Sequence, residues 1–180
     1  MPPPPFQHRK GNQLVRTLML MRHAKSSWKE PGMADHDRPL NRRGTKAATF
    51  MGWWLKEQGL EPDVILASTA RRVQETVHLM RQEGWAADAV VLNERRLYLA
   101  YPDTILECVA GLSTEWNTAM AVGHNPGMAD LVSTLAGQVI EFPTAAIAVF
   151  QSPAEDWCTA VRSNDWELLH LWKPRELEAS

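Results

Sequence analysis

The run Leu18-Met19-Leu20-Met21, closed by Arg22-His23-Ala24, constrains this chain more than any other feature. A short apolar run after Thr17 reads as a buried strand. Its end delivers a guanidinium and an imidazole to the carboxyl edge of a sheet, where ligands bind in open α/β sheets. Arginine presents a rigid fork of donors matched to phosphate. A neutral imidazole can attack phosphorus.

Two later junctions repeat the pattern. Val64-Ile65-Leu66-Ala67 is a buried strand, and Ser68-Thr69-Ala70-Arg71-Arg72 opens the next helix. Ala119-Met120-Ala121-Val122 is another, followed by Gly123-His124-Asn125-Pro126-Gly127. There Asn125 is the expected N-cap and Pro126 the first helical residue. His23, Ser68 with Arg72, and His124 therefore converge on one sheet edge, where helix N-termini favour anions.

The rest of the chain fits the same scheme. A polar loop over 24–40 holds Pro31, Gly32 and Pro39 and leads into a helix at about 41–58. That helix presents Ala47, Met51, Trp54 and Leu55 on one face and stops at Gly59. After the strand at 64–67, a helix over about 69–83 turns Val73, Val77 and Met80 inward. A strand at about 89–92, a helix opened by Pro102, a strand at 118–122 and a helix over about 126–136 follow. Two more strands are expected near 146–151 and 166–172. The alternation predicts an α/β fold, three layers α/β/α around a mainly parallel sheet of about six strands. Residues 1–14, with Pro2-Pro3-Pro4-Pro5, read as a disordered tail, which leaves 15–180 as one domain.

Taken together, these motifs resemble the histidine phosphatase superfamily, with its phosphoglycerate mutase-like fold, and within it the SixA-type phosphohistidine phosphatases. Arg22-His23-Ala24 matches the family's opening motif, and Arg38-Pro39-Leu40-Asn41-Arg42-Arg43-Gly44 its second element. Ser68, Arg72 and Thr76 match a Ser-x-x-x-Arg-x-x-x-Thr element, and Gly123-His124-Asn125-Pro126 the last. Pro143-Thr144-Ala145 and Trp172-Lys173-Pro174-Arg175-Glu176-Leu177 are similar to the SixA-type branch. The resemblance spans about residues 16–177. It implies one antiparallel edge strand and a phosphatase acting through an enzyme phosphohistidine. It also implies a phosphohistidine-bearing partner, such as a phosphotransfer domain or phosphocarrier protein.

Composition narrows the setting. The net charge of −2 gives no basic footprint for nucleic acid. Positive charge is local, in Arg22, Lys25, Arg38, Arg42, Arg43, Arg71 and Arg72. Two cysteines make neither a disulfide framework nor a metal spacing, and Cys108 reads as a small core residue. No stretch approaches a membrane span and no secretory signal is visible, so a cytoplasmic protein is expected.

The expected chemistry needs no cofactor and no metal. His23 attacks phosphorus while its second ring nitrogen donates to a fixed acceptor, expected to be a backbone carbonyl. Arg22 and Arg72 hold the phosphoryl oxygens, and His124 is a third donor, best when protonated. Ser26 is a further candidate phosphate ligand. His8, His36, His78 and His170 read as isolated, the last two as buried or half-buried residues. The candidates for a general acid are Glu94, Asp35 and Asp37, each with an ion-pairing alternative. SixA-type members, by resemblance, lack the usual acid, which suits a phosphohistidine substrate whose imidazole leaves readily. No segment is long enough for a cap over the site. Two alternatives stand beside this reading: a small-molecule phosphomonoesterase using one of those acids, and a phosphate-binding docking module without catalysis.

Overall fold

A computed structural model describes residues 15–177, so the expected tail over 1–14 lies outside the described residues. In chain order the elements are β1 (Arg16–Arg22), α1 (Arg42–Glu57), β2 (Val64–Ser68), α2 (Arg71–Arg81), β3 (Val90–Glu94) and α3 (Pro102–Ala110). They continue with β4 (Thr118–Gly123), α4 (Gly127–Ala136), β5 (Ile147–Ser152), α5 (Trp157–Ser163), β6 (Glu167–Trp172) and α6 (Pro174–Leu177). Short 3-10 turns occupy Asp35–Asp37 and Arg95–Leu97.

The strands form one sheet in the order β3-β2-β4-β1-β5-β6. Side chains alternate across β1. Leu18 and Leu20 enter one core with Ile105 and Val109 of α3, Met128 and Leu131 of α4, and Trp157 of α5. Met19 and Met21 enter the other with Met51 and Leu55 of α1 and Val73, Val77 and Met80 of α2. Two cores on opposite faces make the three layers, and they explain why β1 is apolar at every central position.

β1, β2, β3 and β4 pair in parallel. β5 is antiparallel to both β1 and β6. The reversed strand is thus inside the sheet, not at its edge as expected. The cause is local. Ala145 N–H lies 3.0 Å from the Arg22 carbonyl and 3.2 Å from that of His23, so β5 starts at the carboxyl edge of β1 and runs back along it.

Two further expectations are corrected. Helix α5 lay unseen between the last two strands, although Asp156 is a regular N-cap accepting from Thr159 N at 2.8 Å. Helix α4 begins at Gly127, and Asn125 does not cap it. The Asn125 amide instead donates to Phe142 O at 2.9 Å. At α1 the cap is Asn41, accepting from Gly44 N at 2.9 Å. A Cβ on Gly44 would collide with the Lys25 carbonyl, so glycine lets the helix pack against the loop that follows His23.

Candidate active site

Three neighbouring strands end together. Arg22 of β1 is in register with Gly123 of β4, and Ala67 of β2 with Val122. The next residues, His23, Ser68 and His124, therefore share the carboxyl edge, and all three are buried. The centroids of the two imidazoles are 5.1 Å apart.

His23 is held at both nitrogens. Nδ1 lies 2.7 Å from the Ala24 carbonyl and can only donate there. Nε2 accepts from Arg72 Nε at 3.2 Å, so its lone pair faces the guanidinium. The backbone is fixed as well. His23 N–H bonds to Gly123 O at 3.0 Å, and Thr76 Oγ1 accepts from Ala24 N at 3.1 Å while donating to Arg72 O at 2.6 Å. One hydroxyl thus ties the histidine loop to the turn that carries Arg72, which accounts for the spacing of Ser68, Arg72 and Thr76.

Arg72 is the hub of the cluster. It is buried, and besides His23 it reaches the Asp35 carbonyl through Nη1, Asp35 Oδ2 through Nη2 at 2.9 Å and His124 Nδ1 at 3.2 Å. His124 Nε2 lies 2.8 Å from Ser68 Oγ and donates to it. Arg22 is less committed. Its Nη1 donates to Phe142 O at 3.3 Å, and its Nε is buried with no partner among the described residues.

Burial, reinforced by neighbouring positive charge, keeps both rings neutral. Burial first, then Arg72 and Arg22, push His23 down to about 4 against the pull of the Ala24 carbonyl. Burial first, then His23 and Arg72, push His124 down to about 3. His124 is thus neutral in this arrangement, and the protonated donor expected beside a phosphoryl anion depends on that anion's charge. In an unfolded chain histidine titrates near 6.5. Between about pH 6.5 and pH 4 the unfolded chain binds more protons, so stability falls as pH falls, by up to about 1.4 kcal/mol per pH unit for each ring. Urea unfolding at about pH 7 and about pH 5 checks this, with His124→Asn losing less stability between them than the wild type. Equal losses would show that His124 is not held neutral.

The three candidate acids stand in different surroundings. Asp35 is drawn into the site, bonded by Arg72, by Arg38 Nη1 at 3.0 Å and by the Tyr98 hydroxyl at 2.7 Å. Partial burial opposes ionisation, but Tyr98, Arg72 and Arg38 outweigh it and hold the carboxyl down at about 2. A group ionised at that pH is no proton donor at neutrality. Glu94 ends β3 on the same edge but turns to Arg96, accepting from its Nη2 at 2.9 Å and its backbone N at 3.0 Å. Those bonds lower its pKa. Asp37 is exposed and lies 3.3 Å from His36 Nδ1.

Ser26 stands one step away, its hydroxyl bonded to Arg38 Nη2 at 3.1 Å. Arg38 is buried and lies over the Trp28 ring. His36 is not isolated. Its Nε2 lies 3.0 Å from Thr69 Oγ1 and its ring 5.0 Å from that of Tyr98, which in turn stands edge-on to His124 at 5.3 Å. His78 is exposed on α2 rather than buried, and His170 is half-buried, stacked on Trp172 at 4.8 Å. Sequence reasoning missed Tyr98 and His36 as neighbours of the site. No local spacing signals them, because each reaches it from a separate 3-10 turn.

A buried pair of histidines bridged by one arginine, with a second arginine at the same strand end, is an arrangement able to hold a phosphoryl group. The sequence profile of the histidine phosphatase superfamily (branch 1) matches residues 18–95. An uncharacterized Mycobacterium tuberculosis protein is 36% identical over 142 residues, 73% of this chain and 86% of the relative. A solved structure from Nakamurella multipartitia, provisionally named a phosphohistidine phosphatase SixA, aligns with a TM-score of 0.78 at 28% identity. It covers 89% of this chain and 96% of that one. A second of the same provisional name, from Agrobacterium tumefaciens, gives 0.74 at 29%, covering 88% and 99%. The chain belongs to the histidine phosphatase superfamily, in its SixA-type group, and is a phosphatase. No helix of the described residues is long and apolar enough to cross a membrane.

Proposed function

We propose that this phosphatase removes phosphate from phosphohistidine carried on a protein, through a transient phosphohistidine at His23. The observation that carries the reading is the fixed tautomer of His23. Its Nδ1 donates to Ala24 O, and its Nε2 lone pair lies beside the Arg72 guanidinium. A neutral, oriented imidazole next to a cationic fork is what in-line attack on a phosphoryl group requires.

In the first step His23 Nε2 bonds to phosphorus as the substrate's P–N bond breaks. The substrate imidazole, protonated at its other nitrogen, takes the electron pair and leaves neutral. In the second step water attacks phosphorus, Nε2 recovers its lone pair, and phosphate leaves carrying the water's protons. Arg22, with its buried unpartnered Nε, and Arg72 would hold the phosphoryl oxygens in both transition states. His124 would donate to the same oxygens once the anion offsets the cost of its protonation.

The leaving group decides the substrate class. An alkoxide needs a proton in the transition state, and a general acid is worth roughly 10²–10⁴-fold. Asp35 is ionised and Glu94 is tied to Arg96, so alkyl phosphates are expected to be poor substrates and activated aryl phosphates acceptable ones. A parallel assay of a phosphohistidine peptide, an aryl phosphate and a panel of alkyl phosphates tests this. Alkyl esters hydrolysed as fast as phosphohistidine would favour the small-molecule phosphatase.

Asp35 has a different expected effect. Its carboxylate shares Arg72 with any bound phosphoryl group, and like charges repel. Asp35→Asn should tighten vanadate inhibition by roughly tenfold, about 1.4 kcal/mol, well below the Coulomb limit at an effective dielectric near 20. Phosphohistidine turnover should stay within a modest factor. Loss of turnover with no gain in vanadate affinity would make Asp35 a participant in proton transfer.

A further inference from the structure

A cavity of about 510 Å³ opens beside the site and shares Arg22 with it. Its walls are Lys25, the first turns of α1 with Arg43 and Lys46, the segment 141–144, and Lys173 and Arg175 at the C-terminal end. Six cationic side chains face it against two carboxylates, Glu141 and Glu176. This excess sits in a chain of net charge −2. Lys173 is paired with Glu176 at 3.4 Å. Lys25, Arg43, Lys46 and Arg175 are exposed, and no carboxylate among the described residues pairs with them.

The cavity is joined to the histidine through the backbone. Lys25 is two residues beyond His23, and Ala145, next after the lining residue Thr144, donates to the Arg22 and His23 carbonyls. Arg43 and Lys46 are three apart on α1 and share a face. A site for one small phosphorylated metabolite would be built from buried, hydrogen-bonded forks. Here four of the five cations away from Arg22 are exposed, Lys25, Arg43, Lys46 and Arg175, and exposed, unpaired cations suit a diffuse negative surface rather than one fixed group.

We propose that this cavity docks an acidic segment flanking the phosphohistidine of the protein substrate, steering that residue onto Arg22 and His23. The proposal rests on the phosphohistidine reading above and adds the charge of the partner's surface. Clustered charge of one sign raises association rates by about 10–10³-fold at low ionic strength and loses that advantage as salt rises.

The test uses two synthetic peptides with the same chemically phosphorylated histidine, one flanked by Asp and Glu and the other by Asn and Gln, with an aryl phosphate as control. The expected wild-type kcat/KM is about tenfold or more higher for the acidic peptide at low salt, and the difference shrinks with added salt. In the double variant Arg43→Glu, Lys46→Glu the preference disappears or reverses, while aryl phosphate turnover stays as in the wild type. Aryl phosphate turnover also shows that this variant is folded. If the neutral peptide is hydrolysed as well as the acidic one, docking is overturned and the phosphohistidine reading stands. A preference that survives the double variant overturns the assignment to this cavity. If neither peptide is hydrolysed while the aryl phosphate is, the phosphohistidine reading fails and docking with it. Inhibition of aryl phosphate turnover by inorganic pyrophosphate that the double variant relieves, with equal rates on the two peptides, would make the occupant a small polyanion and overturn the proposal.

Discussion

In His23→Ala, turnover of a phosphohistidine peptide is expected to fall more than about 10⁴-fold, because a nucleophile that forms the covalent intermediate has no substitute within the site. The neighbouring imidazole cannot take over. His124 Nε2 carries its proton and donates to Ser68, and its one lone pair, on Nδ1, meets Arg72 at Nη2, whereas His23 Nε2 meets Arg72 at Nε, so the His124 lone pair does not occupy the place of the His23 one. The fold should survive, since β1 keeps its pairing with β4 and β5 and Thr76 still holds the Ala24 amide. Steady-state kinetics with circular dichroism on the same sample checks both halves. A folded variant with wild-type rates would remove His23 from the chemistry.

The second large effect belongs to Arg72. Its guanidinium contacts His23, His124 and two atoms of Asp35 at once, a geometry that only a planar fork can serve. Arg72→Lys keeps the charge but loses most of those bonds, and the expected cost in kcat/KM is about 10²–10³-fold. Arg71, its chain neighbour, is exposed and pairs with Glu75 at 2.8 Å on the same helix. Arg71→Ala should therefore change kcat/KM by no more than about threefold, as an exposed ion pair contributes little. Equal losses at 71 and 72 would mean that the wrong arginine has been placed in the site.

How legible this was from sequence depended on distance along the chain. The buried runs at 18–21, 64–67 and 119–122 and the residues just after them needed no tertiary information. Apolarity on both faces marks a central strand, and the next residue necessarily stands at its end. That logic placed His23, Ser68 and His124 side by side. The direction of β5 was not legible, because it depends on where the 137–146 segment turns. Asn125 looked like a cap locally, yet its amide is taken by Phe142, an acceptor 17 residues on. For Asp35 the sequence shows a carboxylate in the loop near Arg38, open to either an acid's role or an ion pair, and Arg38 does pair with it at 3.0 Å. Besides Arg38, its ionised state comes from Tyr98 and Arg72, which lie 63 and 37 residues away, and no local pattern encodes that distant meeting. Asp156 is the one signal that could have been used and was not, since an aspartate three residues before a threonine at a helix start is a local feature.

The claim that His23 becomes phosphorylated is open to one direct measurement. Rapid quenching of the wild-type protein with a radiolabelled phosphohistidine peptide or aryl phosphate, followed by peptide mapping, locates any covalent phosphate. One acid-labile, alkali-stable phosphate is expected on His23, attached at Nε2 because Nδ1 is held by the Ala24 carbonyl, and none on His23→Ala. Label on another residue, or full turnover with no phosphoenzyme detectable on the timescale of the reaction, would contradict it.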